Sequence, residues 1–312
     1  MTVLVASALI RPALEPVVPD WLDVRWAADN AELLELAGEA EIGWFDSLSK
    51  TAMAETVRRA AGLKWLNSLY AGVDGLPFGL MAQRGTILTN GSGLSATTIA
   101  EYVVMGMLTM AKGYREVVRA QDRHEWLGDA PGRGQLAGTR ALVLGFGPIG
   151  QKVQRMLGGF EVAVSIVRRT PGEGFLTPDQ WRARLGEFDW IVIAVPATAE
   201  TDGMIGAAEL AAMKPGARII NIARGAVIDQ DALLACLRER RLRGAFLDVT
   251  TPEPLPPEHP LWDEPNAHIT MHLSGRSQKT VMHEAAVRFL ENLERYRRGD
   301  ELAHRVDYTR GY

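Results

Sequence analysis

The chain has 312 residues, enough for about two domains, and its 47% hydrophobic and 23% charged content excludes a disordered chain. Its formal charge of −4, from 34 Lys and Arg against 38 Asp and Glu, argues against a broad nucleic-acid surface. A single cysteine, Cys236, cannot form an intramolecular disulfide.

Residues 3–10 are apolar, lack a preceding basic segment and end at Arg11-Pro12. They read as a first core strand and not as a signal peptide. Residues 41–45, 63–70 and 85–90 are the next predicted strands, with helical stretches between the first three. Ala71-Gly72-Val73-Asp74-Gly75 follows a strand directly and reads as a tight loop. Residues 95–126 predict a long helix, broken near Gly113. Its most apolar part, 102–111, is much shorter than the ~20 residues that span a bilayer. The cytoplasm is the expected compartment, with neither membrane nor nucleic acid as partner. Residues 128–138 read as a Gly-containing linker. Beyond it, residues 140–145, 162–168, 189–196, 217–223, 244–249 and 267–272 predict strands, with helices between them. Thr177-Pro178-Asp179-Gln180 predicts a helix start, with Thr as cap, Pro in the first turn and Gln reaching back. Cys236 sits in an apolar helical run and reads as a small buried residue. The last predicted helix covers about 278–298 and ends at Gly299. Short apolar strands alternating with helices give a parallel α/β fold, doubly wound in the second half.

Gly145-Phe146-Gly147-Pro148-Ile149-Gly150 fits G-x-G-x-x-G. The string alone is weak, but an apolar strand precedes it and a helix follows, as a dinucleotide site needs. Gly145 permits the turn, Gly147 admits a pyrophosphate against the backbone, and Gly150 lets the helix pack on the strand. The next strand ends at Arg168-Arg169, about where an NAD site carries the acid that binds the ribose. Two guanidiniums there suit a 2′-phosphate, so NADP(H) is favoured over NAD(H). Solvated strand-end arginines would explain the charges but not the missing acid.

Ligands of open α/β sheets lie past the carboxyl ends of the strands. Arg224 follows Asn221-Ile222-Ala223, Glu253 follows Asp248-Val249, and His272 ends the strand predicted from 267. These three side chains suit reduction of a 2-oxo acid. Arg224 can bind the carboxylate and polarise the carbonyl. His272 can give the carbonyl oxygen its proton. Glu253 can orient the imidazole and favour its protonated form. No metal-ligating set is expected. His259, in a Pro-rich loop, and His268, at a strand start, are weaker candidates. Trp44, Phe45 and Tyr70 could shape a pocket, with core packing as the default for each.

Taken together, these motifs resemble the D-isomer-specific 2-hydroxyacid dehydrogenase family over essentially the whole chain. The resemblance is carried by Ala71-Gly72-Val73-Asp74, Ile99-Ala100-Glu101, the Gly-rich turn, Val195-Pro196, Asn221-Ile222-Ala223-Arg224-Gly225, Asp248-Val249 with Glu253-Pro254-Leu255, and His272 with Ser274-Gly275. It implies two Rossmann-like doubly wound parallel-sheet domains with a cleft between them. The substrate-binding domain would be discontinuous, from residues 1–97 and 283–312, and the dinucleotide-binding domain would cover 98–282. The resemblance gives Arg224, Glu253 and His272 the catalytic roles. The backbone of Gly72 and Val73 would meet the substrate carboxylate, with Arg224 and His272 as the other substrate contacts. Pro148, Ile149, Pro196, Thr201, Ala223, Arg224, Asp248, Ser274 and Gly275 would join the Gly-rich turn at the cofactor. Arg168-Arg169, Val306-Asp307 and Arg310-Gly311-Tyr312 make the chain most similar to the A-type NADPH-dependent glyoxylate/hydroxypyruvate reductases within the family. Met271, Ser274 and Pro252 depart from the usual pattern, which bears on substrate preference more than on the reaction. A homodimer is the family expectation. Alternatives are a reductase of a bulkier 2-oxo acid and a non-catalytic NAD(P)-sensing regulator on the same scaffold. A Rossmann methyltransferase is disfavoured by the N-terminal βα domain and the arginine pair.

Overall fold

The computed structural model describes residues 1–312 except 48, 74, 171, 277, 278 and 312. Asp74 of the predicted loop, Gln278 of the predicted last helix and Tyr312 of the C-terminal motif therefore lie outside the described residues. The chain divides into two compact units, Met1–Ser95 with Ser277–Tyr312, and Ala96–Arg276. Each is built on a parallel sheet, as the strand–helix alternation predicts.

In the first unit β1 (Thr2–Ser7), β2 (Leu22–Ala27), β3 (Ile42–Trp44), β4 (Trp65–Asn67) and β5 (Ile87–Thr89) form a sheet in the order β2-β1-β3-β4-β5. The two-residue period of a strand sends alternate side chains to opposite faces. Val5, Phe45, Leu66 and Leu88 pack in one cluster, and Leu4, Ala6, Ile42, Trp44 and Trp65 in another. The second cluster includes Phe289 from the helix Lys279–Arg298, whose ring lies 4.9 Å from both Trp44 and Trp65. Trp44 and Phe45 are thus core residues, whereas Tyr70 is 36% exposed. β2 falls in a stretch that the sequence predicts as helical. Among the described residues it is an edge strand, paired only with β1, and its Arg25 and Asp23 bond each other at 2.8 Å.

In the second unit β6 (Arg140–Leu144), β7 (Ala163–Val167), β8 (Phe175–Leu176), β9 (Trp190–Ile193), β10 (Arg218–Asn221), β11 (Gly244–Leu247) and β12 (Ala267–Ile269) form a sheet in the order β12-β11-β10-β9-β6-β7-β8. The order reverses at β6, so the crevice for a ligand lies past the ends of β6 and β9. The predicted long helix is two, Ala96–Lys112 and Tyr114–Asp122, joined by Gly113 in the left-handed conformation at φ 64°. Three local readings are corrected. β8 has no counterpart among the predicted strands; at two residues it is too short to show a period. No α-helix starts at Thr177: Gln180 does reach back to the Thr177 N–H at 3.0 Å, but a short 3₁₀ helix, Arg182–Glu187, follows. Trp181, Leu185 and Phe188 anchor that segment in the core, and β9 begins at Trp190, which leaves little length for α turns. Finally, the last strand ends at Ile269 and not at His272.

Among the described residues no helix is long and apolar enough to cross a membrane. Cys236 is buried.

Phe289 joins the C-terminal helix to both tryptophans and is fully buried. Phe289→Ala is expected to destabilise the first unit by about 3–5 kcal/mol. Urea unfolding followed by tryptophan fluorescence checks this, and a loss below about 1 kcal/mol would contradict the packing of that ring.

Candidate active site

The Gly-rich turn leaves β6 at Gly145, whose φ of 106° is a conformation that favours glycine. A Cβ there would collide with the Ala194 carbonyl oxygen, beyond β9. Gly147 precedes the helix Pro148–Gly158 and faces open space, since a Cβ on it would meet no atom within 4 Å. Gly150 lies against the strand exit, where a Cβ would collide with the Gly145 carbonyl oxygen. Pro148 takes the first helical turn, where N–H groups lack helical partners anyway. Close packing, an open backbone edge and a helix N-terminus fit a dinucleotide pyrophosphate. Ile149 packs against the adjoining core.

Arg168, one residue past β7, donates from Nε to the Thr170 carbonyl at 2.6 Å and lies 4.2 Å over the Phe175 ring. Phe175 packs 4.9 Å from Phe146 of the Gly-rich turn. The arginine is therefore fixed on the same rim as the turn. Arg169 faces Glu200 at 3.8 Å, and both side chains are exposed. Pro196 and Thr201 lie in the loop after β9. The Thr201 hydroxyl donates to the Pro196 carbonyl at 2.7 Å and accepts from the Thr198 N–H at 2.9 Å, so it shapes this loop.

Arg224 emerges from a turn after β10. Asn221, at the strand end and 1% exposed, accepts from the Ala223 N–H at 3.0 Å and donates to the Arg224 carbonyl at 2.9 Å. Asn side chains close turns in this way. The Arg224 guanidinium donates to the Ala223 carbonyl at 2.7 Å. A Cβ on Gly225 would collide with the Thr250 carbonyl, so the loop after β10 packs directly on the loop after β11. Gln230 ties the second loop further through Thr251, donating to its carbonyl at 2.7 Å and accepting from its N–H at 3.0 Å. That second loop carries Glu253.

Glu253 accepts from the Thr250 N–H at 3.2 Å and pairs with His272 Nδ1 at 2.8 Å. Partial burial pushes the Glu253 carboxyl up, but the bond from His272, its charge, the Thr250 N–H and the Arg224 charge together hold it below the usual carboxylate range. An ionised carboxylate only accepts, so Nδ1 carries the hydrogen and Nε2 is left to exchange a proton. The predicted trio is brought together: Arg224 acts on Glu253, and Glu253 holds His272.

His272 itself sits in a turn beyond β12. Met271 and His272 both adopt left-handed conformations, at φ 53° and 57°. The turn closes on Asp248, which is 2% exposed. Its carboxylate accepts from the Thr270 hydroxyl at 2.7 Å, the Leu273 N–H at 3.0 Å, the Ser274 N–H at 3.1 Å and the Ser274 hydroxyl. The Asp248 carbonyl takes the His272 N–H at 2.5 Å. Sequence reasoning named Asp248 and Ser274 as cofactor-side residues; the structure shows them building the histidine turn. It missed Thr270, Asn221 and Gln230 as supports; for Thr270 and Asn221 a polar residue at a strand end is a usable signal, whereas Gln230 opens a helix. Ala223 is buried, and Gly275 follows Ser274 past the turn.

Gly72 and Val73 belong to the first unit and follow the segment after β4. The other two histidines singled out in the sequence are engaged elsewhere. His259 bonds Gln230 and the Leu261 N–H, while burial, with Arg115 and Arg119, pushes His268 down to about 4. Among the described residues no group of three or more His, Cys, Asp or Glu could hold a metal ion.

Residues 104–274 match the profile of the D-isomer specific 2-hydroxyacid dehydrogenase, NAD binding domain. A glyoxylate/hydroxypyruvate reductase B of Pectobacterium carotovorum is 34% identical over 74% of this chain and 75% of its own length. The crystal structure of a D-isomer specific 2-hydroxyacid dehydrogenase family protein from Aeromonas salmonicida is 30% identical, with coverage of 98% of this chain and 99% of its own, and a TM-score of 0.87. An NADPH-dependent glyoxylate/hydroxypyruvate reductase from Sinorhizobium meliloti, in complex with NADP and sulfate, is 26% identical, with 100% and 99% coverage and a TM-score of 0.82. The chain belongs to the D-isomer specific 2-hydroxyacid dehydrogenase family.

Asp248→Asn places an amide donor among donors. The 270–274 turn is expected to loosen and turnover to fall about 10²-fold, the scale of an ångström-sized misplacement of a catalytic group. Steady-state kinetics and amide exchange across 270–274 test it together; wild-type values in both would mean the turn stands without the carboxylate.

Proposed function

We propose that this member of the family reduces a small 2-oxo acid, glyoxylate or hydroxypyruvate first, to the D-2-hydroxy acid with hydride from NADPH. The observation that carries the reading is the 2.8 Å His272–Glu253 pair on the same rim as Arg224. Arg224 binds the substrate carboxylate and polarises the carbonyl. The N–H groups of Gly72 and Val73 also serve the carboxylate. His272 donates its Nε2 proton to the carbonyl oxygen, and Glu253 stabilises the imidazolium and fixes the ring. Gly145, Gly147, Pro148, Ile149 and Gly150 would hold the pyrophosphate. Pro196, Ala223, Asp248, Ser274 and Gly275 would flank the nicotinamide, which supplies the hydride when bound, and Thr201 would also meet the cofactor. Arg168 and Arg169 would take the 2′-phosphate. The protein would act as a cytoplasmic homodimer.

The deciding experiment is a panel of 2-oxo acids with NADPH and NADH, followed by cofactor absorbance. Higher kcat/KM with NADPH is expected, and removal of both Arg168 and Arg169 should penalise NADPH more than NADH. Equal use of the two cofactors by the wild type would sink the NADPH assignment. Simple aldehydes reduced as well as glyoxylate would sink the role of Arg224.

The pH dependence follows from the proton inventory. Glu253 is held below its ordinary value, so it stays ionised through neutral pH and cannot itself supply the proton that reduction consumes. Reduction consumes imidazolium and should fall as pH rises; oxidation of the hydroxy acid should rise over the same range. Glu253→Gln keeps the shape and removes the charge, so the falling limb of reduction should move to lower pH. His272→Ala should cost about 10²–10⁴ in turnover with cofactor binding intact. An unmoved profile in Glu253→Gln would pass the partner role to another carboxylate.

A further inference from the structure

Asp46 is a buried carboxylate that the reaction does not use. It lies just past β3 in the first unit and is 1% exposed. Trp44 donates from its indole N–H to Oδ2 at 2.7 Å. The Leu69 N–H donates to the same oxygen at 2.5 Å, and the Ser68 hydroxyl donates to Oδ1 at 2.7 Å. Ser68 in turn accepts the Tyr70 N–H at 3.1 Å.

These bonds meet a specific need of the backbone. The Ser68 N–H continues the sheet, donating to the Thr89 carbonyl at 2.9 Å. Past it the chain leaves the sheet, and the N–H groups of Leu69 and Tyr70 need partners from outside the ladder. Asp46 takes the first directly and the second through Ser68. The carbonyls of the segment are held as well. Asn90 donates to the Ala71 carbonyl at 2.9 Å, and the Gly91 N–H to the Tyr70 carbonyl at 3.1 Å. A Cβ on Gly91 would collide with the Leu69 carbonyl, so the backbones touch there. Gly72 and Val73 come next in the chain.

We propose that Asp46 is a positioning residue for substrate binding: clamped by Trp44, it fixes the backbone of 68–70 and thereby sets the N–H groups of Gly72 and Val73 for the substrate carboxylate. This rests on the carboxylate-binding role assigned to Gly72 and Val73 under the proposed function. Charge matters to the clamp. Burial pushes the Asp46 carboxyl up to about 6, against the bonds from Leu69, Ser68 and Trp44. The groups that act on it are that amide, hydroxyl and indole, and none of them is charged. As pH falls through about 6 the carboxyl gains a proton, and the oxygen that carries it becomes a donor. The Ser68 hydroxyl must then turn to accept, which weakens its hold on the segment. Asp46→Asn presents a comparable donor at every pH.

The test compares KM for the 2-oxo acid, KM for the cofactor, and amide exchange at 69–73 in wild type, Asp46→Asn, Asp46→Ala and Ser68→Ala. Asp46→Ala should raise the 2-oxo acid KM about tenfold or more, the scale of losing a charge-assisted hydrogen bond. Cofactor KM should not move, and exchange at 69–73 should accelerate. The ratio of KM in Asp46→Asn to that in wild type should exceed one above about pH 6 and approach one below it. If Asp46→Ala fails to fold, Asp46→Asn and Ser68→Ala carry the same comparison. Unchanged 2-oxo acid KM and unchanged exchange in the folded variants would overturn the proposal. A wild type that reduces no 2-oxo acid would instead overturn the proposed function, and the exchange arm would still decide whether Asp46 holds the segment.

Discussion

The rim that carries Arg224, Glu253 and His272 depends on satisfying one buried charge. A carboxylate taken out of water is costly unless donors replace its hydration. Asp248, just past β11, finds those donors in the Thr270 hydroxyl and in the backbone and hydroxyl groups of Leu273 and Ser274. To deliver them, the chain after β12 must double back over the carboxylate. That turn places Met271 and His272 in left-handed conformations, each costing roughly 1–3 kcal/mol for residues with a side chain. The Asp248 bonds offset the cost, and the histidine is held where Glu253 can reach its Nδ1.

The remaining supports follow from parallel topology. Neighbouring parallel strands end at the same edge, so the loops after β10, β11 and β12 must share space. Gly225 allows the first two to touch, because any side chain there would collide with the Thr250 carbonyl. Asn221 and Gln230 then satisfy the polar backbone groups that such close loops expose. Glu253 inherits a position near both His272 and Arg224, and the His272 bond, with both charges and the Thr250 N–H, holds its carboxyl low despite partial burial. The histidine–carboxylate pair is a consequence of sheet order as much as of residue choice.

Much of this was legible in the sequence, for physical reasons. The Gly-rich turn announces itself because close packing excludes side chains at Gly145 and Gly150. Arg224, Glu253 and His272 stand out as polar residues after apolar runs. What stayed hidden depends on partners distant in the chain. β2 lies at the sheet edge, so its burial pattern lacks the continuous apolar signal of β3 and β4. Thr177-Pro178-Asp179-Gln180 has sound local helix chemistry, and Gln180 does reach back, but Trp181 and Leu185 pull the segment into the core as a 3₁₀ helix. The strand predicted through His272 stops at Ile269 because Asp248 captures the chain, and no local propensity encodes that capture.

The two units solve the same problem twice. Asp46 after β3 and Asp248 after β11 are both acids just past a strand end, each almost wholly buried. Each takes a serine hydroxyl together with a backbone N–H from a segment that has just left its own strand. A parallel sheet leaves such segments with N–H groups that the ladder no longer serves, and a short carboxylate on a neighbouring strand end is within reach of them. The difference lies in what is held. Asp248 fixes a turn that carries a side chain, the imidazole, whereas Asp46 fixes a strip of backbone whose own N–H groups come next. A side chain needs both its Cα placed and its ring oriented: four donors on the Asp248 carboxylate hold the turn, and the Glu253 bond to Nδ1 holds the ring. A backbone donor needs only its own peptide plane fixed: the Ser68–Leu69–Tyr70 bonds hold the segment before Gly72, and the bond from Asn90 holds the Ala71 carbonyl of the next plane.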